Sequence, residues 1–186
     1  MKIGILGGTF NPPHIGHLIL AQEMLDRLHL DKVFFVPTNI PPHKNTQLID
    51  VCHRLNMVRL CIKDNTRFSC LALEAKRGGV SYSIDTINAL KRKFPGDDFY
   101  FLIGSDLVRE FHTWRSYKEI KRLVHVVVAI RDRFPIKKRK GFLCINILQV
   151  DISSSLIREL IKKRFSITYL VQRGVERYIK KHRFYI

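Results

Sequence analysis

Apolar residues in this chain come in two rhythms. Short unbroken runs, the pattern of strands buried on both faces, occupy residues 2–6, 32–37, 99–103 and 123–130. Residues 67–73 and 142–150 are weaker examples. Between them the apolar residues recur every three or four positions, the spacing of one helix face. Leu18, Ala21, Leu25 and Leu28 form one such stripe. Val51, Leu55, Val58 and Ile62 form another, and Ile84, Ile87 and Leu90 a third behind Ser83, a good N-cap. Leu156, Ile157, Leu160 and Ile161 follow, and then Val171, Val175, Tyr178 and Ile179. Alternation of buried strands with amphipathic helices predicts an α/β fold: a Rossmann-like, doubly wound, mostly parallel sheet with helices on both faces. Residues 2–37 read as its first βαβ unit. Residues 99–103, apolar throughout, read as a central strand.

Composition narrows the class. A chain of 186 residues with no repeat or low-complexity linker is read as a single domain, 1–186, large enough for a substantial core. No apolar stretch reaches the roughly 18 residues that cross a bilayer. The first apolar run is too short for a secretion signal and meets a glycine turn at once. Four cysteines without CxxC spacing suggest neither zinc nor disulfides. Reduced, mostly buried thiols and a cytoplasmic location are therefore expected. Thirty-three Lys and Arg against 16 Asp and Glu give a net charge of +17. That field attracts polyanions. The basic residues are spread along the chain and the aromatics form no RNA-binding module. A nucleotide site is expected rather than specific nucleic-acid binding.

Two stretches carry chemistry. The first run ends in Gly7-Gly8-Thr9-Phe10-Asn11-Pro12-Pro13-His14-Ile15-Gly16-His17. Glycine lets a ligand approach the backbone closely, and proline holds its predecessor extended. His14 and His17 then open a helix, where free N–H groups and the helix dipole favour a phosphate. The second stretch is Asp151-Ile152-Ser153-Ser154-Ser155-Leu156-Ile157-Arg158. A plain N-cap needs only one serine. Three hydroxyls, a helix start and an arginine one turn in make a second anion site. A doubly wound sheet can bring both to one crevice at the point where its strand order reverses. No G-x-x-x-x-G-K-[ST] is present, so this is not a P-loop protein.

Further candidates lie at predicted strand ends. The loop Pro37-Thr38-Asn39-Ile40-Pro41-Pro42-His43-Lys44 is stiffened by prolines, so His43 and Lys44 are expected to face the same anion. Gly104-Ser105-Asp106 closes the central strand. Asp106 is read as a helix cap, a ribose acceptor or a group that orients a hydrated Mg²⁺. Trp114, the sole tryptophan, lies among polar residues and could stack a planar ring.

The segment from Gly7 to His17 resembles the phosphate-binding signature of the HxGH nucleotidyltransferase superfamily, and the chain is similar to its nicotinate-nucleotide adenylyltransferase branch through to the last residues. Asn11 stands where that family usually has Asp, and Ser155 where it has Thr. The resemblance implies adenylyl transfer from ATP to the 5′-phosphate of nicotinate mononucleotide. The products would be nicotinate adenine dinucleotide and pyrophosphate. It makes His14, His17, Lys44 and Arg158 the catalytic set. Gly7, Gly8, Thr9, Phe10, Gly104, Asp106, Ile152, Ser153, Ser154 and Ser155 become ATP-binding residues. Lys44, Thr86, Trp114 and Arg131 become nicotinate-nucleotide contacts. No protein metal site is implied, since Mg²⁺ would be held mainly by phosphates and water. ATP and nicotinate mononucleotide are the expected partners, with a homo-oligomer possible and no membrane. Adenylyltransferases for nicotinamide nucleotide or phosphopantetheine share the fold, and a basic nucleic-acid-binding module is the alternative of another class.

Overall fold

The computed structural model describes residues 1–42, 48–130, 141–148 and 150–186, and the backbone but not the side chain of Asp106. Its strands are β1 (Lys2–Gly8), β2 (Lys32–Pro37), β3 (Phe68–Cys70), β4 (Asp98–Gly104), β5 (His125–Ile130) and β6 (Leu143–Asn146). They form one sheet in the order β3-β2-β1-β4-β5-β6, parallel at every pairing. That is the doubly wound Rossmann-like order, with the reversal between β1 and β4. Both are interior strands, as the apolar run at 99–103 required.

The helices are α1 (Ile15–Arg27), α2 (Val51–Ile62), α3 (Leu73–Arg77), α4 (Ser83–Lys93), α5 (Tyr117–Leu123), α6 (Ser154–Lys162) and α7 (Arg173–His182). Period-two alternation along the strands feeds two cores. Val33 and Phe35 join Leu20, Met24, Met57, Ile157, Val175 and Ile179 on one face. Phe34 and Val36 join Ile84, Ile87, Leu90 and Ile120 on the other. Helices thus cover both faces.

Several expectations change in detail. The strand read at 67–73 shrinks to three residues, because Leu73 starts α3. The one read at 142–150 is Leu143–Asn146. The run read from 123 begins at His125, Leu123 being the last residue of α5. Helices α3 and α5, of five and seven residues, are too short to show a period. Leu156 faces solvent at 37% exposure while Ile157 is fully buried, so the inner face of α6 is narrower than its apolar residues suggest. Cys52 is exposed, against the expectation of mostly buried thiols; burial pushes Cys61 up to about 12. Ser83 is the first helical residue rather than the cap, which is Tyr82.

Candidate active site

Beyond β1 the chain must turn sharply to enter α1. Phe10 makes the turn in the left-handed region, with φ 47°, a conformation that costs about 1–2 kcal/mol. Its ring is 1% exposed, and burying a phenylalanine contributes about 1.5–3 kcal/mol, enough to hold the strain. The ring packs edge-on to His17 at 4.9 Å and against Phe35 at 5.8 Å. Gly8 leaves room for it, since a Cβ there would meet the Phe10 ring at 3.2 Å and the ring would have to shift.

His14 is the N-cap of α1, extended at φ −145°. Its N–H donates to His17 Nδ1 at 3.1 Å, and the two rings lie 3.8 Å apart. A neutral His17 that accepts at Nδ1 carries its proton on Nε2. The motif therefore presents a donor. Gly16 has its own reason: a Cβ would come within 3.0 Å of His14 Nδ1.

Helix α6 docks on this loop from the far end of the chain. Ser153 caps it, accepting from the Leu156 N–H at 3.1 Å. The Ser154 hydroxyl donates to the Pro12 carbonyl at 2.8 Å. Arg158 donates to the Asn11 carbonyl at 2.8 Å and to Ser155 Oγ at 3.1 Å. Ile152 lends a carbonyl 3.7 Å from the Cβ position of Gly16. The two anion signals meet, as anticipated. A third contributor comes from the end of the chain: the Tyr185 hydroxyl donates to Asn11 Oδ1 at 2.8 Å. Burial pushes that phenol above its ordinary range, against the pull of Arg158 and Arg54.

Arg54, which no motif marks, breaks the apolar stripe of α2 that continues through Val58 and Cys61. It is 1% exposed. It donates to the carbonyls of Ile49, Thr9, Thr38 and Asn39. One side chain thereby ties the loop after β1 to the loop after β2. Burial lowers its pKa from the ordinary guanidinium value, with the Asp50 charge opposing.

Beside the phosphate loop, at the carboxyl ends of β1, β2 and β4, lies a cavity of about 350 Å³. Gly7, Gly8 and Thr9 form the wall shared with the loop, and Trp114, Tyr82 and Thr86 line other parts. Trp114 is braced by Phe111 at 5.2 Å and Phe101 at 6.1 Å. Gly78 and Gly79, at φ 70° and 67°, turn the chain into α4, and Asn39 clasps that turn through Gly79 O and Ser81 Oγ. The Thr86 hydroxyl donates to Glu74 Oε1 at 2.6 Å. Its one proton is spent there, so the free side-chain donor at the start of α4 is Ser83, which also lines the cavity. Glu74 is buried, and its Oε2 has no hydrogen-bond partner. Arg115 lines the cavity with its guanidinium 4.7 Å above the Tyr82 ring.

Of the expected site residues, Gly7, Gly8, Thr9, Thr86 and Trp114 line the cavity. Phe10 packs beneath it, and Gly104 ends the neighbouring strand β4. His14, His17, Ile152, Ser153, Ser154, Ser155 and Arg158 come together beside the cavity, where the start of α6 meets the loop before α1. His43, Lys44, Arg131 and the Asp106 side chain lie outside the described residues. Among the described residues no group of three or more His, Cys, Asp or Glu is placed to hold a metal. No helix there is long and apolar enough to cross a membrane.

A sequence model of the cytidylyltransferase-like family matches residues 5–160. The chain is 43% identical over 185 residues to a probable nicotinate-nucleotide adenylyltransferase of Lactiplantibacillus plantarum, covering 99% of this chain and 88% of that one. It is 36% identical over 185 residues to the nicotinate-nucleotide adenylyltransferase of Bacillus subtilis, covering 99% and 98%. The chain belongs to the nicotinate-nucleotide adenylyltransferase family. In fold it is similar to the Plasmodium falciparum nicotinic acid mononucleotide adenylyltransferase complexed with NaAD. The TM-score is 0.84 at 23% identity, over 99% of this chain and 97% of that one. The described residues of the two sequence motifs converge here, joined by Arg54, Ser83, Arg115 and Tyr185.

Proposed function

We propose that this chain transfers the adenylyl group of ATP to the 5′-phosphate of nicotinate mononucleotide, giving nicotinate adenine dinucleotide and pyrophosphate. The observation that carries the reading is the docking of Ser154 and Arg158 on the loop before His14, beside a cavity walled by Trp114 and Tyr82. One phosphate cradle adjoins one slot for a planar ring.

A phosphate oxygen of the mononucleotide attacks the α-phosphorus of ATP. The bond from that phosphorus to the bridging oxygen breaks, and its electrons leave with pyrophosphate. With a second pKa near 6, the attacking monoester is largely a dianion at neutral pH and needs no general base. The work left to the protein is positioning and charge stabilisation. His17 Nε2–H donates to the α-phosphate as charge builds there. His14, Lys44, the remaining donors of Arg158 and the hydroxyl of Ser155 hold the leaving phosphates. Trp114 stacks the pyridine ring, and Ser83 with the first N–H groups of α4 receives its carboxylate. The cradle consists of donors rather than oxygen ligands. A Mg²⁺ that arrives with ATP would therefore be held by phosphate oxygens and water, and would add neutralising charge.

The test is pyrophosphate release from ATP and Mg²⁺, with nicotinate mononucleotide, nicotinamide mononucleotide and phosphopantetheine offered separately. Release with the first, and much less with the second, is expected. Release with phosphopantetheine alone, or with none, overturns the reading.

A further inference from the structure

The helix start and the Ser83 hydroxyl can donate to an acid or an amide alike, so they leave open what makes a pyridine acid preferred. We infer that Arg115 is the residue that selects the carboxylate-bearing ring, its guanidinium supplying the countercharge; this rests on the function proposed above.

The argument is a balance of charge in the cavity wall. Three charged residues line it among those described: Glu74, Glu110 and Arg115. Glu74 is deeply buried, and one of its oxygens already takes the Thr86 proton. That leaves Thr86 presenting lone pairs, which suit an amide N–H and repel a carboxylate. The second Glu74 oxygen, also buried, is a further acceptor with no donor. Glu110 is exposed and carries the same sign. Without Arg115, the described wall would hold two carboxylates and no cation. With it, a fork of N–H donors faces the same space, in a geometry that matches a carboxylate.

Arg115 is also held ready. No described carboxylate pairs with it. Its guanidinium rests on the Tyr82 ring, and Tyr82 caps α4 directly before Ser83. A cation parked on an aromatic face keeps its in-plane N–H groups for a ligand at the ring's edge. Tyr82 thereby sets Arg115 beside the helix start that receives the acid. In sequence Arg115 directly follows Trp114, so the stacking residue and the countercharge arrive on one turn of chain.

The experiment measures kcat and KM for nicotinate and nicotinamide mononucleotides in the wild-type chain, Arg115→Gln and Arg115→Lys, at saturating ATP. Arg115→Gln should lose about five- to tenfold in kcat/KM for the acid, through KM, as expected for a hydrogen-bonded charge at an exposed position. The amide should change less than about twofold, and the KM for ATP should stay put. Arg115→Lys should recover part of the loss. The acid-over-amide ratio of the wild type should fall as salt rises and that of Arg115→Gln should not, because the pair is screened. Equal losses for both nucleotides in Arg115→Gln would make Arg115 a support for α4 only and overturn the assignment, as would an unchanged ratio. A wild-type chain inactive with both pyridine nucleotides would instead sink the proposed reaction, before any variant is compared.

Discussion

At the phosphate end of the site, side chains hold main chain: Ser154 and Arg158 grip the carbonyls of Pro12 and Asn11, and Arg54 grips four more. At the pyridine end, side chains hold one another: Thr86 with Glu74, Arg115 on Tyr82, Trp114 on Phe111 and Phe101. The first arrangement fixes the path of a loop whatever is bound. In the proposed reaction its contribution is to rate, through donors already in place where charge develops. The second lines a cavity with adjustable groups, and in the same proposal its contribution is to the choice of substrate. The two ends also draw on different parts of the chain. The phosphate end joins residues 7–17 to 152–158 and 185, and the pyridine end is built chiefly from residues 74–115.

If rate and choice divide this way, variants at the two ends should separate in kinetics. The largest effect is expected from His17→Ala. Removing one donor from a preorganised charge-stabilising site costs about 3 kcal/mol of transition-state energy, or about a hundredfold in kcat. The KM for nicotinate mononucleotide should hardly move. Near-normal turnover would remove His17 from the role given to it. A loss confined to the pyridine KM would dissolve the division itself. His17 is half-buried against Phe10, so a thermal melt of the variant should accompany the kinetics.

Trp114→Ala probes the other end at a smaller scale. Stacking a planar base on an aromatic side chain is worth about 1–3 kcal/mol, so the KM for the pyridine nucleotide should rise about tenfold. The KM for ATP serves as the internal control. Should both rise together, the loss of packing on Phe111 has spread across the crevice, and the ends are not independent.

The phosphate end was also the more legible in the sequence, for a physical reason. Gly8, Gly16, His14 and His17 act through local geometry, and spacing along one short stretch records local geometry. The serines and Arg158 do the same at the start of α6. Arg54 had one local trace, a charge on an otherwise apolar helix face, but its four carbonyl partners come from the two loops after β1 and after β2 and no spacing reports them. At the pyridine end the chemistry depends on partners that only the fold supplies. The resemblance points to Thr86 as one of the contacts, and the partner of its hydroxyl, Glu74, lies twelve residues earlier, where no spacing announces it. The doubly wound fold class and the placement of the longer helices followed from apolar rhythm. Helices α3 and α5 did not, because five and seven residues span too few turns to show one.

The smallest expected effect sharpens the comparison most, because it tests a tether from outside both motifs. Tyr185 reaches Asn11 across 174 positions of sequence, and the same Oδ1 accepts a longer bond of 3.4 Å from the Ile49 N–H. Phe184, one residue earlier, stacks on His182 and packs against His53, so the tail stays anchored if the hydroxyl is removed. Tyr185→Phe keeps the ring and its packing and deletes one neutral hydrogen bond, worth about 1 kcal/mol. If that bond steadies the loop before His14, kcat should fall about fivefold while the acid-over-amide ratio stays fixed, since loop position governs rate and not choice. Unchanged kcat would leave the loop fully held by Ser154 and Arg158 and return Tyr185 to packing. A changed ratio would mean that the phosphate loop, through the shared wall at Gly8 and Thr9, also shapes the pyridine slot.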